Sequence, residues 1–267
     1  LWSKTYDRGN FSSIFGNGPR STPLVDGERL YTFGVTGILT CWQVKDGKQI
    51  WQVDTAKDFK PPALRFGTAC SPIVIDDNVL INVGAKGASI VAFNKKTGKV
   101  AWKSQDDPPS YSSPIVFTQN KTKQVVFLTA EGVVSLNPKD GSFYWRVPLK
   151  DIFNESSTTP VRVGDRILAS SVTFGSLGIE MSSANGKPSA KQIWRQRMLS
   201  CYFSTPTAVG REHIYLVTGR LFPSARADLR CVELKTGKQL WKRKQAVGKY
   251  HAALLRTGDD HLLMLEE

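Results

Sequence analysis

Cysteine, histidine and methionine are scarce in this sequence, at four, three and three residues among 267. Cys41, Cys70, Cys201 and Cys231 are too few for a disulfide framework in so long a chain, and no C-x-x-C spacing suggests zinc or dithiol redox chemistry. There is no run of about 18 apolar residues to cross a bilayer as a helix. No charged and apolar leader opens the chain, so a signal peptide, if there is one, is expected outside it. The segments between apolar runs lack a sustained helical period, which excludes an alternation of strands and helices. Acidic residues are also in deficit: 23 Asp and Glu face 36 Lys and Arg, for a formal charge of +13. Such an excess favours acidic surfaces. The basic residues are nevertheless scattered, and the densest run, Lys242-Arg243-Lys244, follows a strand pattern rather than a recognition helix. A solvated basic surface accounts for them; nucleic acid binding rests on charge alone and is not expected.

The sequence does have a repeat. Ser or Thr followed by Pro recurs at Thr22-Pro23, Ser71-Pro72, Ser113-Pro114, Thr159-Pro160 and Thr205-Pro206, with spacings of 49, 42, 46 and 46. Trp recurs in step at Trp2, Trp51, Trp102, Trp145, Trp194 and Trp241. Between these anchors each unit shows two apolar runs around a turn, as in Ile73-Val74-Ile75, Asp76-Asp77-Asn78, Val79-Leu80-Ile81. A glycine-containing loop follows, then a third strand, a Thr-Gly, Asp-Gly or Asn-Gly turn, and a fourth strand holding the Trp. Four antiparallel strands per 42 to 51 residues describe a propeller blade. The expected fold is an all-β propeller with five complete blades, at about 21–54, 70–105, 112–148, 157–197 and 204–244, and partial blades at 1–4 and 250–267. The abrupt ends predict a fragment of a longer protein.

The third and fourth strands carry the most specific pattern: Ala92-x-Asn94-x-x-Thr97-Gly98-Lys99-x-x-Trp102 and Cys231-x-Glu233-x-x-Thr236-Gly237-Lys238-x-x-Trp241, matched with Asp-Gly at the turn by Cys41 to Trp51 and Ser135 to Trp145. It resembles the tryptophan-docking motif of the PQQ-like (quinoprotein-type) repeat, found in quinoprotein alcohol dehydrogenases and in BamB-like proteins. The resemblance covers essentially the whole chain. It implies a ring of seven or eight blades, a periplasmic or otherwise exported bacterial protein, and a blade-to-blade docking role for Trp2, Trp51, Trp102, Trp145, Trp194 and Trp241. Unit four departs from the motif, since Pro188 to Lys191 are extra and Glu180 occupies the expected small-residue position.

Function belongs by default to the loops on the face around the central channel, where the fourth strand leads to the next first strand and the second to the third. The long ones, Lys4 to Ser21, Thr55 to Ser71 and Gly219 to Leu229, carry the candidate binding residues Arg8, Arg20, Arg65, Arg220 and Arg226 among aromatics that include Tyr6, Phe11, Phe15, Phe59, Phe66 and Phe222. His251, at the head of a partial first strand, joins them. Arginines beside aromatics suit a flat or anionic ligand or a protein partner, although ordinary solvated loops carry the same residues. The expected function is a noncatalytic binding or assembly scaffold for a protein or an anionic polymer. The alternatives are a quinoprotein dehydrogenase and a glycan-active enzyme in the channel. For the first, the resemblance would require a calcium ion on Glu, Asn and Asp and, in methanol-type relatives, adjacent cysteines. No Cys-Cys pair is present, and Asp106, Asp107, Asp151 and Glu155 form no convergent acidic cluster and lack the required spacing, so neither PQQ nor calcium is expected. For the second, no Ser-His-Asp or metal-spaced arrangement accompanies His213, His251 or His261.

Overall fold

The computed structural model describes the chain except Phe15, Leu221, Phe222, Pro223, Asp260 and Glu267, with only the backbone of Arg220. Phe15, Phe222 and the Arg220 side chain, three of the loop features named above, therefore lie outside the described residues. Blade one consists of β1 (Leu24–Asp26), β2 (Arg29–Phe33), β3 (Ile38–Gln43) and β4 (Gln49–Asp54), followed by a short helix α1 (Thr55–Phe59). Blade two is β5 (Ile73–Ile75), β6 (Asn78–Ala85), β7 (Ala88–Asn94) and β8 (Val100–Ser104); blade three is β9 (Ile115–Gln119), β10 (Thr122–Leu128), β11 (Gly132–Leu136) and β12 (Phe143–Pro148). Blade four is β13 (Val161–Val163), β14 (Arg166–Ser171), β15 (Gly175–Ala184) and β16 (Lys187–Gln196). Blade five is β17 (Thr207–Val209), β18 (His213–Arg220), β19 (Arg226–Glu233) and β20 (Gln239–Lys242), and a hairpin β21 (Ala252–Arg256) with β22 (Leu262–Glu266) comes last. Each blade is an antiparallel meander paired in chain order, and the sheets follow one another around an unclosed propeller.

In all five blades the motif tryptophan lies opposite a small residue of the third strand: Cys41, Ala92, Ser135, Gly178 and Cys231 face Trp51, Trp102, Trp145, Trp194 and Trp241. A register shift follows the small residue every time, and such a bulge turns the indole out of its own sheet toward the neighbouring one. Unit four corrects the sequence reading, because Gly178 and not Glu180 fills the small slot. Its β15 and β16 run ten residues each and absorb the extra residues beyond the bulge, so counting back from the turn misses the slot by two. A Cβ on Gly178 would stand 2.2 Å from the indole nitrogen of Trp194. Glu180 lies opposite Lys191 and pairs with it at 3.2 Å.

Docking follows one geometry at four seams. Trp2, Trp51, Trp102 and Trp194 donate their indole N–H to the backbone carbonyls of Val44, Lys95, Pro138 and Leu234 at 2.7 to 3.1 Å. Each acceptor precedes by three residues the turn glycine of the next blade, and the indole lies flat against that glycine. At Gly141, for example, φ is 74° and an added Cβ would meet the Trp102 ring at 2.5 Å. Two positions differ. Trp145 donates to Gln124 of its own blade at 2.8 Å and packs among Ile179 and Met181, because the long hairpin of blade four carries Gly186 out of reach. Trp241 remains 43% exposed beside the Tyr215 ring.

The recurring Ser/Thr-Pro also has a local cause. Ser71 and Ser113 accept, through their hydroxyls, the backbone N–H of Thr22 and Ser71 in the preceding blade at 2.9 and 3.0 Å, and Thr205 does the same for Thr159 at 3.2 Å. First strands are thereby tied side by side around the channel. The apolar core lies at the seams: Tyr31, Phe33 and Trp51 pack with Val79, Ile81 and Phe93 between blades one and two, and equivalent clusters fill each later seam. One further correction concerns Gly219 to Leu229. It is largely strand, since β18 runs to Arg220 and β19 starts at Arg226, with Arg220 opposite Arg226. Glycine and proline suggested a loop, but cross-strand pairing prolongs the hairpin.

Candidate functional site

Because successive first strands converge, the residue three positions before each Ser/Thr-Pro proline points to one place. These residues are Arg20, Ala69, Tyr111, Ser157 and Phe203, and all five line a single cavity of about 330 Å³. Phe66, Glu155 and Tyr202 complete its walls. Half of the lining residues are aromatic: Phe66, Tyr111, Tyr202 and Phe203. Tyr202 stacks on Phe203 at 3.8 Å, Phe203 meets the His251 ring edge-on at 5.9 Å, and Phe66 lies 5.8 Å from Tyr111.

The polar groups of this cavity are held by the protein itself. Tyr202 donates its hydroxyl to the Glu155 carboxylate, Glu155 being 8% exposed. Burial, and then that carboxylate, push the Tyr202 hydroxyl far above its ordinary range, so it stays protonated and a donor. The Tyr111 hydroxyl, also raised by burial, accepts the Phe66 N–H at 3.2 Å. Ser157 donates to the Tyr202 carbonyl. Arg20 spans two loops by donating Nε to the Phe66 carbonyl at 2.7 Å and a terminal nitrogen to that of Gly16 at 2.9 Å.

The candidate residues thus divide. Arg20 lines the cavity, Arg65 lies over the Phe66 ring at 5.4 Å, and His251 reaches it through Phe203. Arg8 sits beside Tyr6, with one guanidinium nitrogen buried and unpaired. Arg226 belongs to a second cavity, where it pairs with Asp228 at 2.8 Å. The acids thought to stand apart are in part connected, as Asp151 accepts the Glu155 N–H at 3.2 Å together with the hydroxyl and N–H of Thr173. Asp107 pairs with Arg146 at 2.5 Å. Among the described residues no group of three His, Cys, Asp or Glu is placed to hold a metal. All four cysteines are buried and free, and burial pushes the Cys70 and Cys201 thiols up to about 12. Such thiols behave as small core groups rather than nucleophiles.

Tyr111, Ser157, Tyr202 and Phe203 were not among the candidate residues, and Glu155 entered only as an acid weighed against a calcium site. For Tyr111, Ser157 and Phe203 the signal was the fixed offset from the proline, which becomes meaningful only once the first strands are known to converge; Glu155 and Tyr202 lie off that offset and carried no such signal.

The chain has counterparts among known proteins. The family model described as outer membrane protein assembly factor BamB matches residues 1–243. This chain belongs to that BamB family. The BamB of Yersinia pestis is 24% identical over 254 residues, covering 90% of this chain and 60% of its own length, so the present BamB-family chain spans about three fifths of that relative. In solved structures, the BamB of Moraxella catarrhalis superposes with a TM-score of 0.63 at 14% identity, over 93% of this chain and 71% of that one. A quinohemoprotein alcohol dehydrogenase from Pseudomonas putida gives 0.51 at 14% identity, over 85% and 42%. These superpositions show that the propeller fold is shared by BamB and quinoprotein enzymes.

Proposed function

We propose that this BamB-family chain is a noncatalytic assembly scaffold of the bacterial periplasm that seats an apolar segment of a protein partner in the central aromatic cavity. The observation that carries the proposal is the convergence of five successive blades on one site whose polar groups are already engaged within the protein. A hydroxyl tied to a carbonyl, as in Ser157, is positioned to shape a pocket and lacks the adjacent base that nucleophilic catalysis requires. Aromatic walls favour an apolar protein segment over an anionic polymer. The names of the relatives point the same way, since both are BamB and the curated one is called an outer membrane protein assembly factor. No helix among the described residues is long and apolar enough to cross a membrane.

PQQ fits this cavity poorly. Its carboxylates would meet the buried carboxylate of Glu155. A calcium ion would need several convergent oxygen ligands, and Glu155 is the one acid of the lining.

The test is a photo-crosslinking residue at position 203 of the full-length protein in its native cell envelope. A recurrent protein adduct that disappears when Tyr111 and Tyr202 are both changed to Ala is the expected result. Turnover of alcohols with an artificial electron acceptor after reconstitution with PQQ and calcium would overturn the reading.

A further inference from the structure

A second cavity lies off the axis on the same face, between the loops of blade four and the β18–β19 hairpin of blade five. Its chemistry is opposite to that of the first. Arg197, Arg226, Arg230 and Lys242 line it, and Asp228 is the one acid among them. Arg226, Lys242 and Arg230 reach the Asp228 carboxylate at 2.8, 2.9 and 3.5 Å, the last two sharing one oxygen. Elsewhere on the described surface the ion pairs are balanced, as in Lys95 with Asp26, Lys123 with Asp76 and Lys150 with Glu131. Among the described residues, only here does one carboxylate gather three cations, with a fourth on the wall.

Like charges collected in one concavity repel unless a counter-charge is present, and a single carboxylate neutralises only one of them. The cluster is also ordered beyond what solvation of a basic surface requires. Arg230 is fixed by donation of Nε to Thr218 at 2.8 Å, and Arg226 donates a terminal nitrogen to the Lys244 carbonyl at 3.4 Å. Burial would raise the Asp228 carboxyl, but hydrogen bonds from Lys242 and Arg226 outweigh it and hold it below the usual range, so Asp228 stays charged and offsets one of the cations. Guanidinium forks match oxyanions bidentately, and a lysine adds a point charge. Exposed Phe153 and Met198 on the wall leave apolar surface for an organic substituent.

We propose that this off-axis cavity is a binding site for a phosphate-class dianion, free or as a phosphomonoester, held by Arg197, Arg226, Arg230 and Lys242. The site is independent of the partner cavity, and its failure would leave crosslinking at position 203 untouched.

The experiment is calorimetric titration of the full-length protein with inorganic phosphate against sodium chloride of equal ionic strength. Saturable binding specific to phosphate, weakening as salt is raised, is expected, with at least about a tenfold loss of affinity in the Arg197→Gln/Lys242→Met double variant, roughly what one lost charged contact would cost. A second variant, Asp228→Asn, removes the competing carboxylate, so phosphate should raise its melting temperature more than that of the unaltered protein. A parallel arm uses vesicles of phosphatidylcholine with and without phosphatidic acid. Capture by phosphatidic acid, reversed by inorganic phosphate, assigns a lipid headgroup, and response to phosphate alone assigns a soluble ligand. Heats equal to those of chloride, affinity unchanged in the double variant, or no greater phosphate stabilisation of Asp228→Asn would each overturn the proposal.

Discussion

A tryptophan of this chain is worth what the following blade offers it. Where the next turn supplies a carbonyl and a bare glycine, as Pro138 and Gly141 do for Trp102, the indole is both hydrogen-bonded and covered. Trp102→Ala should then cost about 3 to 5 kcal/mol in denaturant titrations, the range for buried aromatics. Trp241→Ala, at a residue 43% exposed, should cost about 1 kcal/mol. The glycines give a matching contrast. Gly141→Ala and Gly186→Ala both impose a Cβ at positive φ, which costs about 1 kcal/mol, but only at 141 does that carbon also strike an indole. Gly141→Ala should therefore lower the melting temperature clearly more than Gly186→Ala. At this scale the sequence was informative, because the Trp-to-glycine pattern is periodic. It was silent on which indoles find a partner, since Trp145 and Trp102 occupy the same position of the repeat motif and the length of the neighbouring hairpin separates them.

Among elements, the Ser/Thr-Pro entry to each first strand does two jobs. Proline holds the chain extended, and the hydroxyl before it accepts an N–H from the blade behind. Ser113→Ala strands the Ser71 N–H and should destabilise by about 1 kcal/mol, whereas Ser113→Thr should recover most of the loss; chemical denaturation of the two variants distinguishes them. The motif was visible in the sequence as punctuation, but its partner lies 42 residues away and no local pattern names it. The same limit explains the two misread segments. Glu180 was placed by counting from a turn whose strands proved longer, and Gly219 to Leu229 passed for a loop because pairing between Arg220 and Arg226 is a tertiary matter.

For the whole molecule, the described channel face carries two unlike cavities side by side, one aromatic and one cationic. Neither was legible residue by residue: each is assembled from loops of different blades, and the candidate arginines were distributed between them only by the fold. The titrating groups set a window of stability. Asp228 and Asp151 have carboxyls held below their unfolded value, so their contribution is present above about pH 4 and is lost as pH falls through the folded value. Cys70 and Cys201 are raised to about 12, so their contribution is complete below the unfolded thiol range near about 8.5 to 9 and is lost as pH rises toward 12. Denaturation midpoints measured against pH should form a plateau between these limits, and replacing both thiols by Ala should flatten the alkaline side.

The seam also has a direction. Each sheet offers an indole on its outgoing side and a glycine turn on its incoming side, the two parts never exchanging roles where the docking is complete. A strip built this way is modular in the manner of a zip fastener: a blade duplicated or removed in frame leaves every remaining tooth facing a matching gap. Blade number can therefore drift over evolutionary time without most seams being reinvented, while at the joint of blades three and four the lengthened hairpin has carried the gap away and Trp145 is held within its own blade instead.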